Sequence, residues 1–385
     1  MSGEAIAYQG SGSRLAFIDI AKGLGIILIV LGHNPAFLFR FPDVADFLMA
    51  FRLPFFFFMA GVTFSAQTKT LKQVALQRAD AWLKPVMVVV VISGLLHAVF
   101  GERSPQTILL GLIYPAGFTL NPVPLWFLAH LWLLYVFSTL LLRADKLLLD
   151  SPLKRVVLLI ALAAGGYYVM DAFVDASVVP ACRNQSEFSA SLLACGLPFS
   201  ADLLLMTSFY FLLGNFLAAS VKQFRVHLAW ALVALVAMAI FQFGFSYTID
   251  FNLRHYDTPV ATTLQALCGI YLMLCVCTLL CRIEPAARIL RYFGAASLFI
   301  LLFHVSILHT ILPLLQRDIH SSVIIVALSV PLALCLPALM WELCKRSKVL
   351  SAIMLPRKWQ RTVGQNAQQH DPAAAAAATA PVQKS

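Results

Sequence analysis

Residues 15–34 read LAFIDIAKGLGIILIVLGHN, a run of aliphatic residues and glycines interrupted by Asp19, Lys22 and His33. A charged group at the centre of a bilayer costs roughly 2.5–3.5 kcal/mol on insertion scales, so ionisable residues inside apolar spans are rare and mark binding or proton-handling sites. Lys22 and His33 are eleven residues apart. At about 100° per residue that is three turns and some 20°, so a cation and an imidazole share one helix face, separated by a rise of roughly 16 Å. Asp19 lies one turn before Lys22. Glycines at 23, 25 and 32 permit close approach of another helix or a ligand. Two readings stay open for each group. Lys22 either snorkels to the membrane boundary beside Asp19 or binds a ligand. His33 either ends a helix on a backbone carbonyl or does chemistry.

A second apolar stretch, FLMAFRLPFFFFMAGVTFS, carries Arg52 followed by Pro54. Arginine is effectively never deprotonated, so it must meet a carboxylate, a phosphate, carbonyls or water. Asp43 and Asp46 are the candidate ion-pair partners. A proline here frees a carbonyl one turn earlier, and arginine beside a broken helix points to a polar cavity. The Phe55–Phe58 run is lipid-facing or packing surface. Trp126 and His130 in PVPLWFLAHLW share a face at i, i+4. Trp126 is a site residue or an interfacial anchor. His304 sits within SLFILLFHVSILHTILP, as a functional group or as half of an interhelical hydrogen bond.

The elements that must position these groups are membrane helices. The 385-residue chain is 60% hydrophobic and 12% charged, with a mean hydropathy of +0.83. Soluble domains are about 25% charged. About ten apolar stretches reach spanning length, near 17–38, 45–65, 85–101, 124–142, 155–172, 201–220, 226–246, 259–281, 294–315 and 321–343. The fold class expected is an all-α polytopic membrane protein. It divides into an N-terminal tail (1–14), a membrane domain (15–345) and a largely disordered C-terminal tail (346–385). The net charge of +10 arises from lysines and arginines gathered on one side, so no nucleic-acid partner is expected. Arg14, the basic run 69–84, the segments near 143–155, 222–225 and 282–291, and the C-terminal basic residues fall on that side. Arg40, Arg103, Arg183, Arg254 and Arg317 fall on the other. The asymmetry places both termini in the cytoplasm. The segment KTLKQVALQRADAWLKP has helical spacing and is expected along the cytoplasmic interface. The first span is followed by no clear small-x-small cleavage site, unlike a removed signal peptide. Cys182 and Cys195 share the largest outer loop, where a disulfide is permitted, and their pairing stays open. The sequence contains no phosphate-cradling glycine loop, no CxxC pair and no His/Cys cluster at zinc spacing, so no metal is expected.

The order D-x-x-K, a histidine eleven residues after that lysine, FRLPFFFFMAG, LWFL and a late FH span resembles the integral-membrane acyltransferase-3 family. Within it the pattern is similar to the fucose O-acetylase-like sugar acetyltransferases. The likeness covers about residues 14–345 and is most specific in the first two spans. It implies a multi-pass protein of the bacterial inner membrane. The donor it implies is acyl-CoA on the cytoplasmic side, with acetyl favoured over succinyl, and no resident cofactor. The acceptor is a glycan or a lipid-linked saccharide. His33, Arg52 and His304 match the family's catalytic positions. By the same resemblance Lys22, with Asp19, and Trp126 serve donor binding. Lys22 holds CoA phosphates, His33 acts as general base on a sugar hydroxyl, and Arg52 or His304 stabilises the oxyanion. An acyl-imidazole on His33 stays open. Family members often have serine before the span-two glycine; Ala60 stands there instead.

A secondary transporter or glycan-precursor flippase is the competing class, since intramembrane charges and ten spans suit it too. Against it, the two halves show no repeat, and the ionisable residues cluster in the first two spans.

Overall fold

The computed structural model describes residues 11–65, 70–99, 105–144, 151–173, 182 and 190–357. Chain order runs through α1 (Ser11–Gly32), α2 (Pro35–Arg40), α3 (Pro42–Met49), α4 (Arg52–Val62), α5 (Leu71–Arg78), α6 (Lys84–Val99) and α7 (Pro105–Ile113). It continues with α8 (Leu125–Ala144), α9 (Pro152–Asp171), α10 (Leu204–Phe216) and α11 (Leu228–Gly244). A small antiparallel pair, β1 (Ile249–Asp250) and β2 (His255–Tyr256), precedes α12 (Pro259–Leu280), α13 (Glu284–Asp318), α14 (Ser322–Arg346) and α15 (Lys348–Met354). Among the described residues the protein is all-α apart from that pair. Eight helical stretches among the described residues are long and apolar enough to cross a membrane. The first expected span lies on the 22-residue α1, and the seventh is the 17-residue α11.

The exterior is apolar, as a bilayer demands. Leu228, Trp230, Leu232, Val233 and Phe243 of α11 all point outward. Inside, α1 packs along α13, α13 along α14, and α10 lies against α4 and α9. Small residues set these distances. A Cβ on Gly61 would lie 1.8 Å from the Phe211 carbonyl oxygen, and one on Gly214 would lie 2.0 Å from that of Phe58. Glycine at both positions therefore brings α4 and α10 into backbone contact. Phe55, Phe57 and Phe58 are buried between helices, so this phenylalanine run is packing surface.

Three local features add to this architecture. The basic segment between spans two and three is continuous with the third span: α5 passes through a π-helical turn at Ala79–Leu83 into α6. The Trp132 indole of α8 donates to the Ala75 carbonyl, which ties α5 to the bundle. The C-terminal tail begins as folded structure, because α15 docks where Lys84 Nζ donates to the carbonyls of Ala352 and Leu355. The rest of that tail, from 358, lies outside the described residues, as do residues 1–10 of the N-terminal one. Third, the pairing left open at Cys182 and Cys195 is a disulfide, with Cα atoms 5.7 Å apart.

Candidate active site

α1 and α13 run parallel and touch at a glycine pair. A Cβ on Gly23 would sit 2.0 Å from the Leu290 carbonyl oxygen, and one on Gly294 would sit 2.1 Å from that of Asp19. Each glycine is followed ten residues later by a histidine, His33 on one chain segment and His304 on the other. Equal spacing along parallel helices brings the two imidazoles to one level. Their ring centroids are 5.1 Å apart with planes at 74°.

The local sequence fixes where α1 ends. Asn34 caps α2, its Oδ1 accepting from the amides of Ala36 and Phe37, with Pro35 in the first turn. Asn34 Nδ2 donates to the buried Ser329 hydroxyl of α14, so the turn that carries His33 is pinned on two sides. His33 Nδ1 lies 2.8 Å from the Ile29 carbonyl oxygen. A carbonyl only accepts, so Nδ1 bears the proton, and the neutral ring keeps its lone pair on Nε2. His304 repeats the arrangement: its Nδ1 donates to Ile300 and Leu301, and its buried Nε2 has no hydrogen-bond partner. Asp43 and Asp46, the nearest acids in sequence after His33, are not bonded to it; a backbone carbonyl holds the ring. Nor is His304 part of an interhelical hydrogen bond.

The expected helix break beside Arg52 is present. α3 stops at Met49, Ala50 caps it with helical dihedrals, Phe51 leaves the helical backbone at φ −139°, and Arg52 opens α4 with Pro54 in its first turn. A cation at a helix N-terminus opposes the helix dipole, so the placement is unfavourable for α4 itself. Arg52 is only 8% exposed. It has no ion pair with Asp43, Asp46 or any other described carboxylate, and its Nε and Nη1 are buried without hydrogen-bond partners. The guanidinium lies across Gly32, where a Cβ would meet Nη1 at 1.3 Å.

His33, Gly32, Arg52, Phe56, Trp126 and Asp250 help to line one cavity of about 470 Å³. Trp126 is buried in its wall and is not an interfacial anchor. His130, one turn on, is outside the cavity and bonded at both ring nitrogens, to the Phe199 carbonyl and the Thr207 hydroxyl. Lys22 and Asp19 lie apart from the cavity. They pair with each other at 3.4 Å, with side chains 44% and 40% exposed. The structure thus gathers His33, Arg52 and Trp126 at the cavity, sets His304 against His33 outside the lining, and leaves Lys22 and Asp19 three turns below. Sequence reasoning missed Asp250 and Asn252, which enter the cavity from the β1–β2 hairpin. Their signal was the polar stretch DFNLRHYD between two apolar spans. It also missed Gly294, whose spacing to His304 equals that of Gly23 to His33.

A neutral imidazole fixed by a backbone carbonyl and a guanidinium without an ion pair line one largely apolar chamber, an arrangement that can supply a proton acceptor and donors for a developing oxyanion. A family model described as an acyltransferase domain (Acyl_transf_3) matches residues 15–342. The chain belongs to this acyltransferase-3 family and is a multi-pass membrane acyltransferase. No curated protein and no solved structure matches it.

Proposed function

We propose that the protein is a bacterial inner-membrane O-acyltransferase of the fucose O-acetylase-like kind, with both termini in the cytoplasm. It transfers an acyl group, acetyl first, from cytoplasmic acyl-CoA to a hydroxyl of a cell-envelope or exported polysaccharide or its lipid-linked precursor. One observation carries the reading: the proton-accepting Nε2 edge of His33 and the unpartnered donors of Arg52 belong to one cavity.

In this reading His33 Nε2 removes the proton as the acceptor hydroxyl attacks the thioester carbon. The carbonyl oxygen becomes an oxyanion, held by Arg52 Nε and Nη1. The C–S bond then breaks, and the CoA thiolate takes the proton from His33, giving ester and free CoA. Neutral His304 carries its ring proton on Nδ1, already bonded to carbonyls, so the oxyanion falls to Arg52. His304 instead holds the plane of His33. Lys22 lies roughly 16 Å below His33 along α1, a span over which an extended thiol arm separates its reactive end from its phosphates. Lys22 binds those phosphates at the cytoplasmic rim, and Trp126 packs on the acyl end.

Mass spectrometry of surface and secreted glycans tests the reading in cells with the wild-type protein, with His33→Ala, or with none. Loss of an acyl ester in both altered strains, with His33→Ala present in the membrane, supports it and names the sugar. Ester retained in His33→Ala but lost in the deletion favours transport or assembly instead.

A further inference from the structure

We infer that the β1–β2 hairpin forms the acceptor subsite of the cavity, where Asp250 and Asn252 take hydrogen bonds from hydroxyls of a neutral saccharide. The inference rests on the reading above and specifies its acceptor.

The cavity has two unlike walls. The helix wall presents Arg52, whose free groups are all donors. The hairpin wall presents acceptors. Asn252 lines the cavity, and its Oδ1 is buried without a hydrogen-bond partner. It occupies space that only a glycine leaves, since a Cβ on Gly117 would lie 1.6 Å from that oxygen. Asp250 accepts from the Leu253 amide through Oδ1, lines the cavity and acts electrostatically on Arg52 across it. Burying an oxygen without a donor costs free energy, and a ligand that brings a donor recovers it.

The hairpin is built to hold these acceptors still. The Arg254 guanidinium grips Asp202 through two hydrogen bonds of 2.8 and 3.2 Å, in a fully buried ion pair. Arg254 itself takes a left-handed φ of 59°, and its Nη1 donates to the Asn252 carbonyl. The Tyr256 hydroxyl joins those of Tyr210 and Thr263. Phe251 is buried against Phe57. This much support beneath four turn residues is what a preorganised recognition loop needs.

The chemistry selects the ligand. Sugar hydroxyls each donate and accept. One hydroxyl gives its proton to His33 while its neighbours donate to Asn252 and Asp250. The carboxylate repels an acidic sugar at this place, and Arg52 is taken by the acyl oxygen.

The test uses membrane vesicles that carry the full-length protein and endogenous glycan, fed labelled acetyl-CoA. It compares ester formed on glycan with acetate released to water, for wild type, Asn252→Ala and Asp250→Asn. The subsite predicts that the ester-to-acetate ratio falls at least about tenfold in Asn252→Ala and falls in Asp250→Asn. A ratio unchanged in both, whether or not total turnover drops, overturns the subsite and leaves acyl transfer intact. If wild type releases acetate but makes no ester on glycan, the saccharide reading fails and the subsite with it.

Discussion

His33 and His304 meet edge to face, 5.1 Å between ring centroids, each ten residues beyond a glycine of the α1–α13 contact. Position along two parallel helices is therefore set by where their backbones touch. Gly23→Val and Gly294→Val force a side chain into a carbonyl at 2.0 and 2.1 Å. Backbone cannot yield as a side-chain tip can, so the helices separate, at a cost of roughly 1–3 kcal/mol or more. Both variants lower the melting temperature and turnover together. Gly244→Ala, with nothing within 4 Å, leaves both unchanged. Differential scanning fluorimetry beside an ester-forming assay checks the set.

Gly32→Ala acts differently. The atom it meets, at 1.3 Å, is the far end of the Arg52 side chain. The guanidinium swings aside and the fold survives. Turnover falls by about 10²-fold, the usual loss on removing one oxyanion donor. Arg52→Lys loses as much, because an ammonium lacks the planar fork. Normal melting with low turnover in both variants is the expected pattern.

Lys22→Ala leaves stability nearly untouched, since a half-exposed pair contributes little. Its effect is on the donor: the apparent KM for acetyl-CoA rises several-fold while kcat stays within twofold. Steady-state kinetics at varied acetyl-CoA separates the two.

Arg254→Ala strands Asp202, a carboxylate with no exposure of its own side chain. Breaking one side of such a buried pair costs about 3–5 kcal/mol. The melting temperature drops, and glycan ester formation drops with it because the hairpin loses its anchor. Thermal unfolding of the purified variant measures the first effect.

Much of this was legible in the amino-acid sequence, for reasons of cost. Ionisable residues in hydrocarbon are expensive, so His33, Arg52 and His304 stood out before any packing was known, and the structure gathers them. The break before Arg52 was legible from Pro54. Lys22 stood out for the same reason, yet the structure leaves it beside Asp19 and outside the cavity, because a shared face over three turns does not imply a shared site. The hairpin was not legible. The polar stretch DFNLRHYD marks a loop where charge is cheap, and what ties it to the site is tertiary: Asn252 against Gly117, Arg254 on Asp202 and Tyr256 on Tyr210. The backbone carbonyl that holds His33 was one of its two open readings, because a histidine at a helix end lies within reach of the carbonyl one turn back.

The central claim is that His33 is the base for acyl transfer from a donor on the cytoplasmic side. Inverted membrane vesicles, whose cytoplasmic face is outward, are fed labelled acetyl-CoA with wild-type protein or His33→Gln at equal abundance, and ester-linked label is counted. The account predicts label with wild type and a loss of about 10²–10⁴-fold with His33→Gln, the range of general-base catalysis. Equal labelling with His33→Gln would contradict it.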